Sequence, residues 1–152
     1  MLNKFYHQLV IHTPHAGTIL PFSFDYNTQK SMIFGMREII IKTLFRLLTD
    51  HYTDKLFCSG SPFIRQLSFP YSRLFCDVER LLHDPLEERG LGICYDIERY
   101  IDRDNYDLQM LWAMNKEQAM LLYKIHHQTL SDMLRCFGPI NTLVIDGHSF
   151  SE

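Results

Sequence analysis

Three polar clusters in the 152-residue chain hold residue types that can do chemistry: Pro14-His15-Ala16-Gly17, Asp50 to Asp54, and Asp146-Gly147-His148-Ser149. Two imidazoles and a carboxylate suit zinc, and three protein ligands leave a fourth position for water, which is the catalytic rather than the structural arrangement. Either Asp50 or Asp54 can supply the carboxylate. The bland reading stands beside this one. Ligands scattered from residue 15 to residue 148 obey no short spacing rule, a histidine at a strand end is commonly a polar loop residue, and aspartates after a helix are commonly caps or turn formers.

A second constellation is Arg73, Asp77 and Arg80 within S-R-L-F-C-D-V-E-R. A guanidinium there can clamp a substrate carboxylate through two parallel hydrogen bonds. Charge pattern alone favours the alternative, an internal Arg–Asp ion pair. Other schemes lack their anchors. There is no G-x-S-x-G elbow, and no glycine loop of the G-x-x-x-x-G-K-[ST] or G-x-G-x-x-G kind. Ser149 follows His148 without an evident third group. His126 and His127 are adjacent, so one is expected at the surface and the other half-buried.

The elements that must position these groups read as a single α/β domain over residues 1–152. Lys4–His12 is expected to be a strand ending at Thr13-Pro14, and Thr28–Leu48 an amphipathic helix. Ser72–Asp77 reads as a short strand with Arg73, Phe75 and Asp77 on one face. Leu86–Asp104 reads as an irregular connection, with one strand near Ile93–Tyr95. Asn115 and Gln118 suggest a capping box opening a helix to Phe137, with Leu122, Ile125, Leu130 and Leu134 as its apolar face. Gly138-Pro139 ends it. Leu143–Asp146 suits a buried strand of a mixed or mostly parallel sheet, covered on both faces by flanking helices.

Composition bounds the rest. Lys and Arg number 15 against 18 Asp and Glu, a net charge of −3, and 46% of residues are apolar. That is a core-forming chain, not a nucleic-acid arm. No signal peptide is expected, and the Met32–Leu48 stretch is interrupted by four charges, so no membrane span is expected. Cys58, Cys76, Cys94 and Cys136 are far apart, which points to reduced, buried thiols and the cytoplasm.

Five pieces in order carry a family resemblance: T-P-H-A-G-T-I-L-P at Thr13–Pro21, T-D-H-Y-T-D-K-L-F at Thr49–Phe57, S-R-L-F-C-D-V-E-R at Ser72–Arg80, Y-K-I-H-H-Q-T-L at Tyr123–Leu130, and V-I-D-G-H-S-F at Val144–Phe150. On these the chain resembles the N-formylglutamate amidohydrolase (N-formylglutamate deformylase) family, zinc hydrolases with a fold similar to that of the zinc carboxypeptidases. The resemblance implies zinc ligation by His15, Asp50 (over Asp54) and His148. Arg73 and Arg80 would hold the carboxylates of a small-molecule N-acyl amino acid, with Asp77 orienting an arginine. His127 matches a histidine of the family's helix and is the catalytic candidate. The implied reaction converts N-formyl-L-glutamate and water to formate and L-glutamate. Family members continue past the D-G-H-S piece with further strands, a closing helix and a glutamate acid/base. The resemblance therefore implies an incomplete domain, with an exposed sheet edge beside Leu143–Asp146 through which homo-oligomers could form. The alternative function is a remnant that binds the ligand without turnover.

Overall fold

The computed structural model describes residues 8–19, 43–96, 106–138 and 142–149, and of residues 106–115 the backbone alone. Within them lies a parallel sheet of three strands in the order β2-β1-β3, with β1 Gln8–Thr13, β2 Ile64–Ser68 and β3 Thr142–Asp146. An α/β architecture is thus present, all-parallel in its described strands.

The central strand has neighbours on both sides, and Val10, Ile11, His12 and Thr13 are all buried. Such burial suits the near-continuous apolar run Leu9-Val10-Ile11. β3 departs from expectation. Its strand is present, but it lies at the edge of the three with Leu143 47%, Val144 38% and Ile145 37% exposed, so it is not covered on both faces.

β2 is not anticipated by the sequence reading, because Arg65 and Gln66 interrupt its apolar character. As an edge strand with a half-exposed face it tolerates both. Ser72–Asp77, read as a strand, is instead a tight turn: the N–H groups of Phe75 and Cys76 both donate to the Ser72 carbonyl, at 2.9 and 3.1 Å. A six-residue apolar–polar alternation fits one helical turn as well as a strand, and here the turn prevails. Ile93–Tyr95 likewise is no strand; Leu91 and Tyr95 form an isolated antiparallel bridge after a 3₁₀ helix at Pro85–Arg89.

The long helix runs Tyr106–Phe137, 32 residues. It passes through Asn115, so the expected capping box there does not start it. Gly138 closes it at φ 82°, donating to the Leu134 carbonyl. Its buried face is Ala119, Tyr123 and His126, and Ile125 is exposed, one step of rotation away from the expected face. That buried face packs on Phe69, Phe75, Cys76, Val78 and Ile93, the apolar core of the described residues. The expected helix Thr28–Leu48 is described only over residues 43–48, which are helical; the rest of it, and residues 97–104 of the expected connection, lie outside the described residues. Cys76 is buried, but Cys58 and Cys136 are exposed, against the expectation of buried thiols. No helix among the described residues is long and apolar enough to cross a membrane.

Candidate metal centre

In an open parallel sheet, sites form beyond the carboxyl ends of the strands. His15 follows β1 by two residues and His148 follows β3 by two. The pairing of these strands runs one step past its regular end, where Gly147 N–H donates to the His12 carbonyl at 2.7 Å. That step sets the two rings side by side, with centroids 5.1 Å apart. Two glycines make room for this. A Cβ on Gly17 would strike the carbonyl oxygens of Phe69 and Tyr71, and one on Gly147 would lie 2.6 Å from the Phe57 ring. Asp50 arrives from the end of the 43–48 helix, its N–H donating to the His15 carbonyl at 3.0 Å and its own carbonyl accepting from the Thr53 hydroxyl at 2.9 Å.

His15 is 2% exposed. Its Nε2 donates to Asp77 Oδ1 at 2.9 Å, while its Nδ1 is buried with no hydrogen-bond partner among the described residues and lies 3.8 Å from Asp50 Oδ2. His148 Nδ1 donates to the same Asp50 oxygen at 2.8 Å, and its Nε2 donates to Glu79 Oε1 at 2.7 Å. Both rings therefore turn Nδ1 toward Asp50 and Nε2 toward a second carboxylate. Burial alone would lower the His148 pKa, but hydrogen bonds to Asp50 and Glu79 outweigh it and hold the ring above the usual histidine range.

Asp77, fully buried, is the hub behind His15. Its Oδ1 also accepts from Glu79 N–H at 3.1 Å, and its Oδ2 accepts from Arg73 and from the Tyr95 hydroxyl, each at 2.8 Å, with Arg80 Nε at 3.4 Å. Burial would raise its pKa, but the His15 hydrogen bond and the Arg73 charge prevail and hold it well below the usual carboxylate range. Burial, then the Asp77 charge, pushes the Tyr95 hydroxyl up, so it stays a donor. The internal Arg73–Asp77 pair favoured by charge pattern is therefore present. Yet the buried Nε of Arg73 and of Arg80 both lack a hydrogen-bond partner among the described residues.

Donor atoms of His15, Asp50 and His148 all lie within 4.8 Å of one another, as do those of His15, Asp77 and Glu79. Chemistry separates the two groups. Both aspartates have both oxygens engaged, Asp50 by His148 and Ser149, but Asp77 is charge-matched by Arg73 and Arg80. Beside Asp50, in contrast, lies a buried His15 nitrogen with no hydrogen-bond partner among the described residues, and with Nε2–H given to Asp77 that nitrogen carries the lone pair a cation needs. The His15, Asp50 and His148 set thus fits a divalent metal. Asp54 belongs to neither group; its carbonyl accepts from Gln66 at 2.6 Å.

His127 Nε2 donates to the Val78 carbonyl at 2.8 Å, inside the segment that carries Asp77, Glu79 and Arg80. His126 is buried and His127 half-buried, so neither of the pair is at the surface. The sequence reading names neither Glu79 nor Tyr95. Glu79 stands in the quoted S-R-L-F-C-D-V-E-R piece, between two residues that were named. For Tyr95 no signal was available, since only folding brings it to Asp77. A further network was also not foreseen: His12 Nδ1 donates to Asp146 Oδ1 at 2.6 Å, and its Nε2 meets His126 Nε2 at 2.8 Å.

A parallel α/β sheet with two histidines and an aspartate gathered beyond its carboxyl edge, beside two arginines, defines an α/β protein with a metal-competent site. The chain belongs to the N-formylglutamate amidohydrolase family, whose family model matches residues 7–152. An amidohydrolase type of function follows in general terms. Searches of curated proteins and of solved structures return no match.

Proposed function

We propose that the chain is a zinc-dependent amide hydrolase acting on N-formyl-L-glutamate or a similarly N-acylated acidic amino acid, with His15, Asp50 and His148 as metal ligands. The observation that carries this reading is the buried, unpartnered His15 Nδ1, held toward Asp50 and His148 by the Asp77 hydrogen bond on the opposite edge of its ring. Zinc bound there would supply Lewis acidity toward an amide carbonyl and lower the pKa of water. Asp77 keeps His15 in the tautomer whose lone pair is on Nδ1. Arg73 and Arg80, anchored on Asp77 with part of each side chain still exposed, are the donors for a substrate carboxylate. Through its bond to the Val78 carbonyl, His127 holds the segment that presents Arg80, a positioning role. Fixing the substrate between guanidinium groups and metal lowers the barrier by removing orientational freedom.

A second reading, a domain that binds such a ligand without turnover, is favoured by one observation. The three carboxylates at the cluster, Asp50, Asp77 and Glu79, each accept a hydrogen bond from a histidine, so each is engaged in holding a ring rather than a water. A single experiment separates the readings. Purified, zinc-loaded protein is mixed with N-formyl-L-glutamate and formate is measured. Formate release that disappears in Arg80→Ala supports the hydrolase, whereas saturable binding dependent on Arg80 with no formate supports the binder.

A further inference from the structure

The two histidines of the centre are built alike on both edges of the ring. His15 directs Nδ1 to the side of Asp50 and gives its Nε2–H to Asp77; His148 directs Nδ1 to Asp50 and gives its Nε2–H to Glu79. A carboxylate behind a ligating histidine fixes its tautomer and ring orientation and makes it a better donor. From this correspondence we infer that Glu79 is the positioning residue that holds His148 as an Nδ1 ligand, as Asp77 does for His15. The inference rests on the proposed metal site.

Three further observations bear on it. His15 is wedged in the interior, whereas the His148 side chain is 25% exposed and follows a glycine, so packing alone restrains it less. One short turn supplies both carboxylates and locks them together, since Glu79 N–H donates to Asp77 Oδ1 at 3.1 Å. Glu79 also approaches His15, with Oε2 3.5 Å from Nε2, which raises direct ligation as a competing role. That role would require Asp77 to join the donor group, and the Asp77 charge is already matched by Arg73 and Arg80.

The test uses the full chain as parent, Glu79→Ala and Glu79→Gln, with zinc affinity measured by competition against a chromophoric chelator and the ligand set read from the cobalt(II) absorption bands. Glu79→Ala is expected to weaken zinc binding by about tenfold to a hundredfold, and Glu79→Gln, which keeps an acceptor oxygen for Nε2–H, to recover part of that loss. Both variants should keep the cobalt band positions of the parent, because the inner ligands are unchanged. Zinc affinity of Glu79→Ala within about twofold of the parent would overturn the inference while leaving the metal site intact. So would a shift of the cobalt bands in Glu79→Gln, which would make Glu79 a direct ligand. A parent that binds no stoichiometric zinc would overturn both the inference and the proposed function. The Glu79 side chain is 34% exposed, so neither variant opens the core, and a melting curve for each checks that affinity is read on folded protein.

Discussion

Two histidine networks flank the carboxyl ends of β1 and β3, and they differ in one respect. In the first, His12 sits opposite Asp146 in the parallel register, gives its Nδ1–H to that carboxylate and shares its other nitrogen with His126 from the long helix. Each ring nitrogen of His12 has a partner, and the chain of bonds ties two strands to the helix. In the second, three residues further along, His15 leaves a buried nitrogen unsatisfied opposite a carboxylate. An unmet buried polar group costs about 1–3 kcal/mol. The same residue types therefore serve cohesion where both ring nitrogens of His12 are matched, and mark a candidate site where one nitrogen of His15 is left open.

The largest expected effect falls on the open network. His15→Ala or His148→Ala should abolish stoichiometric zinc binding in a chelator competition and lower formate release by about a hundredfold to a thousandfold or more. His12→Gln, in the closed network, should leave zinc stoichiometry at the parent value. Equal loss in both would erase the distinction.

Next in size is Asp77→Asn. It strips the charge facing Arg73 and Arg80 and should cost about 3–5 kcal/mol in urea unfolding, as expected when one partner of a buried ion pair is removed.

The closed network has its own pH signature. Burial, then the His12 and His127 charges, pushes the His126 pKa down to about 4 from 6.5. Between those values the unfolded chain takes up a proton that the native chain refuses, so stability rises with pH across that window and the contribution is complete above 6.5. In His126→Leu the urea midpoint should climb less between pH 4 and 6.5 than in the parent, with zinc affinity unaffected. An unchanged slope would mean His126 is not held neutral.

The smallest effect belongs to Tyr95→Phe. It removes one neutral hydrogen bond from Asp77 and should cost about 0.5–1.5 kcal/mol in the same unfolding assay.

Much of the candidate site was legible because its parts lie in short, ordered pieces around His15, Asp50, Arg73, Asp77, Arg80 and His148, which the fold brings together. Both strands that deliver the histidines were legible too, from the apolar runs Leu9–Ile11 and Leu143–Ile145. What escaped depends on contacts between distant positions. His12 and His126 are 114 residues apart and carry no mutual pattern. β2 hid behind Arg65 and Gln66, since an edge strand need not be apolar. The turn at Ser72–Asp77 was mistaken for a strand because Arg73 and Asp77, two steps apart in alternation, are also one helical turn apart, and the ion pair forms across that turn. Glu79 was overlooked because its partner, His148, is 69 residues further along the chain.

Because β1 is the middle of the three described strands and β3 its outer neighbour, their pairing sets when the proposed centre can assemble. His15 and His148 lie 133 positions apart in the chain. Until Thr142–Asp146 has docked alongside Gln8–Thr13, the chain brings together at most two of the three proposed ligands. Uptake of the proposed metal would therefore report the pairing of β1 with β3.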